Sequence, residues 1–412
     1  MEPPKSLKLS EDAGFGPLNG LKVLDIGTLI AGPFGAGLLA DFGAEVIKIE
    51  LPKVGDPIRQ YGRATFNGSS FAWIDGARNK HCITLDLRQE EGQNLLKRLV
   101  KWADILIENF SPGTLESWNL AYNQLSEINP RLIMVRVSGY GQTGPYKNKP
   151  GLDRIALSYS GLSYVTGHPD KPPVKMGISI ADYLTGTFNA LSALMAVYYR
   201  DVLGSGKGQE IDLALYEAPF RISEDIIAAY GVQGEVRERV GNRHLSLAPA
   251  ETYMAKDGRW ITIHAGLNSS FKKLAIAMGK EYLIDDPRFQ GMRDRAKHTD
   301  ELNAIIEEWL AQLSGEKVLE ILDEAGVPAA PVNSVEDIFR DPHIAARENI
   351  VEIQDSEMGK VPVPGIVPKF SQTPGKIAWA GKSMGADNDR IFLEILELDP
   401  QEYEALKGKN II

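Results

Sequence analysis

"LKVLDIGTLIAGPFGAGLLADFGAEVIKIE" (Leu21–Glu50) reads as an apolar strand, a glycine-bearing turn, a helix and a second strand that ends on an acid. That is the layout of half a dinucleotide-binding unit. Nicotinamide binding needs Gly-x-Gly-x-x-Gly directly after the strand, because each glycine has its own backbone task. Here Gly27 is followed by Leu29 where the second glycine belongs, and the later glycines are Gly32, Gly35 and Gly37. Pro33 suits a first helical turn, where its missing N–H would have had no partner. Glu50 stands where an acid accepts from a ribose hydroxyl, although acids at strand ends are common. The architecture is present and the nicotinamide fingerprint is absent.

Outward from this stretch the alternation continues. "CITLDL", "DILIEN" and "RLIMVRVSGY" are short runs rich in Val, Ile and Leu, separated by amphipathic segments such as "EEGQNLLKRLVKWA" and "LAYNQLSEINP". The pattern predicts a doubly wound α/β domain with a parallel sheet. "DYLTGTFNALSALMAVYYRD" then predicts a buried helix with Leu184, Phe188, Leu191, Met195 and Tyr198 at helical steps and Asp182 as its cap. "GSGKGQEIDLALYEAPF" follows as turn, strand and helix. "AETYMAKDGRWITIHA" predicts a hairpin turned at Lys256-Asp257-Gly258, and the helices after it a second, smaller α+β domain. "AGVPAAPVNS" and "VPVPGIVPKF" read as extended, and a last amphipathic helix is expected from near Asp387.

Bulk properties exclude several classes. A chain of 412 residues is long for one core, so two domains are expected. A net charge of −10 with no basic run argues against nucleic-acid or acidic-membrane partners. The polar opening "MEPPKSLKLSEDAGFGPLNG" has no apolar core of a signal peptide, and no stretch approaches the roughly 18 apolar residues of a membrane span. A cytoplasmic protein is expected. One cysteine, Cys82, excludes an intrachain disulfide, and no two of the six histidines share metal-ligand spacing, so no metal site is expected. "GSGKG" (Gly204–Gly208) lacks the Ser or Thr and the first glycine of a phosphate loop, and no Gly-x-Ser-x-Gly elbow follows a strand.

Asp182 in "VKMGISIADYLTG" carries two meanings. An aspartate is a favoured helix cap. At a helix start within an apolar run, the dipole and free amides also keep a carboxylate ionised and are placed to stabilise an oxyanion. An ionised, partly desolvated carboxylate is a usable covalent nucleophile.

The opening stretch, followed in order by "GDPIR", "NKHCITLDL", "ADILIENFSPG", "SGYGQTGP", "PPVKMGISIADYLTG" and "GSGKGQEIDLALYEA", resembles the class III (CaiB/BaiF-type) coenzyme A transferase family from Leu18 to the last helix. The resemblance implies a Rossmann-like, doubly wound large domain formed by both chain ends, with an inserted smaller α+β domain. The expected boundaries are residues 1–222 for the first part of the large domain and 223–330 for the small domain with its linkers. Residues 331–412 return to complete the large domain. It also implies two subunits interlocked like chain links, as a homodimer or as a heteromer with a paralogous subunit. In such enzymes the turn holds the nucleotide of coenzyme A, and Asp182 is the nucleophile. Acyl-CoA and an organic acid are the substrates, and no cofactor beyond the CoA thioester is needed.

By the same resemblance Leu29, Ile30, Leu85, Arg88, Asn109 and Phe110 contact CoA. Leu29, Ile30, Leu85 and Phe110 are equally explained as core, and Arg88 as a solvated charge. Two basic positions of the family are Leu51 and Ser117 here, which leaves Lys53 as the candidate for the phosphate charge. Related racemases carry a histidine where this chain has Leu152, a residue that cannot move a proton, beside Asp153. Asp153, Arg59, Arg243 and His244 are candidates for substrate contact. The expected reaction moves CoA from a succinyl-CoA-type donor to an organic acid, aromatic acids included. Intramolecular CoA transfer, isomerisation on the same fold, and a subunit role in a heteromeric transferase are the alternatives.

Overall fold

The structure is a computed structural model and describes residues 14–62, 65, 66 and 69–412. Most of the polar N-terminal arm, residues 1–13, lies outside them. The chain forms two compact units. The first comprises the described residues up to Leu162, then Met176–Asp225 and Ala346–Ile412.

Six strands build its parallel sheet: β1 (Lys22–Asp25), β2 (Glu45–Glu50), β3 (Lys80–Thr84), β4 (Ile105–Glu108), β5 (Ile133–Ser138) and β6 (Glu210–Ala214). Their order is β3-β2-β1-β4-β5-β6. The order reverses between β1 and β4, and open sheets of this kind bind ligands at the carboxyl ends of the strands flanking such a reversal. Alternating side chains serve both faces. Leu24, Ile47, Leu106 and Met134 join one core with α2 (Glu90–Trp102), and Val23, Val46, Ile105, Ile107 and Val135 join the other. Both faces are buried, which explains the near-continuous apolar strands.

The second core is a helix-on-helix contact. Helix α1 (Ala31–Asp41) and helix α4 (Ile180–Val197), which follows α3 (Asp153–Tyr159), approach so closely that side chains are excluded. A Cβ on Gly35 would lie 2.4 Å from Asn189 Nδ2 and 2.9 Å from the carbonyl oxygen of Gly186. A Cβ on Gly186 would lie 2.8 Å from the Phe34 ring. Asn189 Nδ2 donates to the Gly32 carbonyl at 3.2 Å. Of the glycines in the opening stretch, Gly35 serves helix packing here.

That contact corrects the expected face of α4. Its buried residues are Ala181, Thr185, Gly186, Asn189, Ala190, Ala193 and Ala196. Leu191, Met195 and Tyr198 point outward and are exposed in the single chain. Only small residues fit against α1, so the large apolar residues stand on the opposite face. The cap is corrected as well, because Ser179 is the N-cap and Asp182 is the third helical residue.

The second unit comprises Ser163–Lys175 and Ile226–Ala345. Strands β7 (Ala250–Met254), β8 (Trp260–His264) and β9 (Ala329–Pro331) form an antiparallel sheet in the order β9-β8-β7. The β7–β8 hairpin turns through Gly258, whose φ of +81° suits glycine. Helices α5 (Asn268–Ala277), α6 (Thr299–Leu310) and α7 (Gly315–Glu324) supply Phe271, Leu274, Ile306, Leu310, Val318 and Leu322 to its core. Residues 331–345, expected in the return segment, and 163–175, expected in the large domain, belong to this unit, whereas 223–225, expected here, belong to the first. Gly241 N–H donates to the Gly167 carbonyl at 2.9 Å, and Arg239 donates to the Tyr164 carbonyl at 2.7 Å.

The tail pairs β10 (Ile350–Asp355) with β11 (Gly359–Pro364) and then packs against α2 through Ile391, Phe392, Tyr403 and Leu406. The helical segment expected near Asp387 starts at Asn388, and the Asp387 carboxylate accepts the Cys82 N–H at 2.8 Å and pairs with Lys382 at 2.6 Å. A π-wound turn, Arg390–Ile395, precedes α8 (Pro400–Gly408), which Asp399 caps. No helix among the described residues is long and apolar enough to cross a membrane.

The α1–α4 contact makes a direct prediction. Gly35→Ala should destabilise the first unit by about 1–3 kcal/mol through overpacking. Gly37→Ala, whose nearest neighbour is 3.6 Å away, should be neutral or stabilising by up to about 1 kcal/mol. Urea unfolding of both variants checks this.

Candidate active site

At the sheet reversal the β1–α1 turn is held by buried charge. Lys48, 1% exposed within β2, lies 2.8 Å from Asp56 and 3.8 Å from Asp25. Burial opposes its charge, but the two carboxylates outweigh burial and push its pKa up. Lys80 pairs with the other oxygen of Asp25 at 2.9 Å and donates to the Pro33 carbonyl at 2.6 Å. Three successive turn amides are then spent on side chains. Gly27 N–H donates to Asp25 at 3.1 Å, Thr28 N–H to Asn109 at 2.7 Å and Leu29 N–H to Asp56 at 2.9 Å. Leu29 sits in the left-handed region at φ +61°, strain held by these bonds. A dinucleotide turn offers such amides to pyrophosphate; here they have partners already.

Above the strand ends lies a cavity of about 280 Å³ walled by Ile26, Thr28, Leu51, Leu85, Phe110 and Trp118, with Glu50, Asp56, Asp86 and Arg88 among its polar groups. Leu85, Arg88 and Phe110 of the expected CoA contacts therefore meet there. Ile30 and Leu85 are buried, Leu29 is partly so, and Asn109 clamps Thr28 by also donating to its carbonyl at 2.8 Å. Lys53 is exposed in a left-handed turn and lies outside the cavity lining. Arg88 pairs with Asp86 at 2.7 Å.

Arg59 is committed elsewhere. Its guanidinium bonds both oxygens of Glu50 at 2.7 Å and stacks on Trp73 at 3.6 Å. Glu50 is thereby occupied too, and also accepts the Asp56 N–H at 2.9 Å. Arg243 and His244 lie in the second unit. Arg243 pairs with Asp300 and stands 3.9 Å from Glu251, and His244 accepts the Ser246 N–H at 3.2 Å.

Asp182 has a different environment. Asp153, buried at the first turn of α3, accepts the N–H groups of Ala181 at 2.8 Å and Asp182 at 3.4 Å. The amides expected to favour an ionised Asp182 are held by its neighbour. Among the described residues the Asp182 carboxylate has no hydrogen-bond donor assigned to it. Burial, and then the charge of Asp153, push its carboxyl up to about 7. Next to it Tyr183 packs edge-on against Phe34 of α1 at 4.9 Å.

Residues 18–388 match the model of CoA-transferase family III. The chain belongs to that family. A succinyl-CoA–D-citramalate CoA-transferase of Chloroflexus aurantiacus is 43% identical over 396 residues, covering 96% of this chain and 98% of the relative. The beta subunit of a succinyl-CoA–L-malate CoA-transferase from the same organism is 41% identical over 96% of this chain and 98% of its own length. The crystal structure of a CaiB/BaiF family protein from Brucella suis superposes with a TM-score of 0.83 at 34% identity, covering 92% of this chain and all of that one.

For this family III CoA-transferase, sequence reasoning missed Asp25, Lys48 and Asp56 as the frame of the turn. The available signal was a lysine inside the apolar strand "EVIKIE", since a buried lysine requires carboxylate partners. It also missed Asp153 as the group that caps the Asp182 helix from another element.

The perturbed carboxyl has a stability signature. An acid whose folded pKa lies above its unfolded value costs folded-state stability as pH rises from about 4 to about 7. Asp182→Asn should therefore raise the melting temperature at about pH 8, and the gain should shrink toward about pH 4. Calorimetric melts across that range check the sign.

Proposed function

We propose that this enzyme moves coenzyme A from succinyl-CoA to a small organic acid through covalent intermediates on Asp182. The supporting observation is the Asp182 carboxylate itself, partly buried and without an assigned donor, on a helix whose first amides are held by Asp153. Such a carboxylate is desolvated and nucleophilic once ionised.

An Asp182 oxygen attacks the thioester carbonyl, giving a mixed anhydride and releasing the CoA thiolate. The thiolate attacks the aspartyl carbonyl of the anhydride, giving an aspartyl-CoA thioester and free succinate. The acceptor carboxylate attacks that thioester, forming a second anhydride and releasing the thiolate again. The thiolate then takes the acceptor acyl group and restores Asp182. Both activated states require exclusion of water. Relatives named for D-citramalate, L-malate and glutarate favour a short dicarboxylate as acceptor. Leu152, exposed where racemization would need a proton carrier, disfavours isomerisation.

Intact-protein mass spectrometry after mixing with succinyl-CoA tests the reading. A CoA-sized adduct is expected on the parent and absent from Asp182→Ala. Binding of CoA without an adduct from any acyl-CoA would overturn it. The acid limb of kcat/KM should fall near pH 7, since Asp182 must be ionised to attack. Asp153→Asn, which removes a charge and keeps an acceptor, should move that limb to lower pH.

The assembly belongs to the same proposal. The exposed apolar face of α4, with Leu191, Met195 and Tyr198, suits burial against a second copy or a paralogous subunit; the L-malate relatives are named as alpha and beta subunits. Sedimentation of the purified chain should give a dimer, and Met195→Glu should weaken it.

A further inference from the structure

Helix α4 carries Asp182 in its first turn, and every buried residue of this helix other than Thr185 and Asn189 is glycine or alanine. Helix packing takes its angle and register from side-chain ridges lodged in grooves. An interface of glycine and alanine has shallow ridges. It brings backbones close without fixing how one helix is rotated or how far it slides along its axis.

Two polar side chains supply that direction, since hydrogen bonds weaken steeply when misaligned. Thr185, fully buried, donates from its hydroxyl to the Leu215 carbonyl at 3.2 Å, just beyond β6. Asn189, also fully buried, donates to the Gly32 carbonyl in the first turn of α1. The two anchors therefore lie on different neighbours. The second is itself fixed, because α1 begins directly after the turn whose amides are held by Asp25, Asn109 and Asp56. Asn189 follows Asp182 by seven residues, about two turns, which puts the two within about 20° of each other around the axis. A rotation or slide of α4 at Asn189 carries Asp182 with it.

Asn189 also has a cost that packing does not explain. Its Oδ1 is buried without a hydrogen-bond partner among the described residues. A leucine of similar outline would fill the place without burying an unpaired polar atom. Setting register is the best-attested use of buried polar groups that add little stability.

We propose that Thr185 and Asn189 are positioning residues that fix the rotation and slide of α4 and so place the Asp182 carboxylate for transfer. This rests on the CoA-transferase reading above.

Asn189→Leu and Thr185→Val each remove a hydrogen bond and keep the shape. Asn189→Leu should melt at or above the parent temperature. Its kcat should nevertheless fall about tenfold or more, since a misplacement of about 1 Å costs up to about a hundredfold. Calorimetry should show CoA affinity within about twofold of the parent, because the β1–α1 turn is held independently. Thr185→Val should lower kcat in the same way, and Thr185→Ser, which keeps the hydroxyl, should recover it. Ser192→Ala deletes a bond made within α4, to the Asn189 carbonyl, and should leave kcat unchanged. A kcat for Asn189→Leu like that of the parent would overturn the proposal. So would an equal fall in Ser192→Ala, or a fall accompanied by a lower melting temperature and weaker CoA binding. Carboxyl-carbon NMR of Asp182, assigned against Asp182→Asn, reads its placement without turnover. The titration should differ between the parent and Asn189→Leu, because burial and the distance to Asp153 change together. A parent that forms no CoA adduct, with a titration that still differs, refutes the transfer reading and keeps the register role. A parent that forms the adduct, with an Asn189→Leu variant that forms it as fast and titrates alike, refutes the register role alone.

Discussion

The closeness of α1 to α4 is the constraint on which the site depends. Glycine at 35 and 186 removes the side chains between the helices, and Asn189 ties them with a bond to the Gly32 carbonyl. One helix begins at the turn after β1, and the other carries Asp182 in its first turn. Packing density between them therefore sets how the β1–α1 turn and the proposed nucleophile stand to each other. A protein interior transmits strain because it is close-packed, so an ångström gained at Gly35 would be felt at Asp182.

Charge is the second organising element. Lys48 and Lys80 are buried among Asp25 and Asp56, and each acid also holds turn amides. Buried ion pairs add little net stability, because desolvation cancels much of their attraction. Their effect here is positional: they hold Leu29 in a left-handed conformation and close the turn to anions. Charge is compensated at the β1–β4 reversal, whereas Lys147 and Lys149 beside β5 have no carboxylate within ion-pair distance among the described residues.

Asp182 and Asp153 show how a helix start can be arranged for chemistry. The dipole of α4 favours a negative charge, but Asp153 takes that position and its two nearest amides. Asp182 is left with the repulsion and the desolvation. The result is a carboxyl near neutrality, the range in which a group can be both populated as an anion and reactive.

The sheet and its flanking helices were legible in the sequence because short, continuous apolar runs and helices of 3.6-residue period are local signals. The six strands and the β7–β8 hairpin stand where those signals put them. The motifs from Leu21 to Ala218 identified the family for the same reason, since each is a contiguous run. Asp182 was visible as a carboxylate at a helix start. Contacts between distant segments were not visible. The outward face of α4 was misread because its large residues look like core until α1 demands small ones. The partner of Asp387 and the acceptor of the Ala181 amide depend on where the chain returns. Arg59 looked free until Glu50, nine residues earlier, closed on it. Residue order alone determined the fold class and the chemistry's candidate atom, because local pattern suffices for both. Only tertiary structure decided which charges are compensated and which are free, because pairing depends on distance in space and not on distance along the chain.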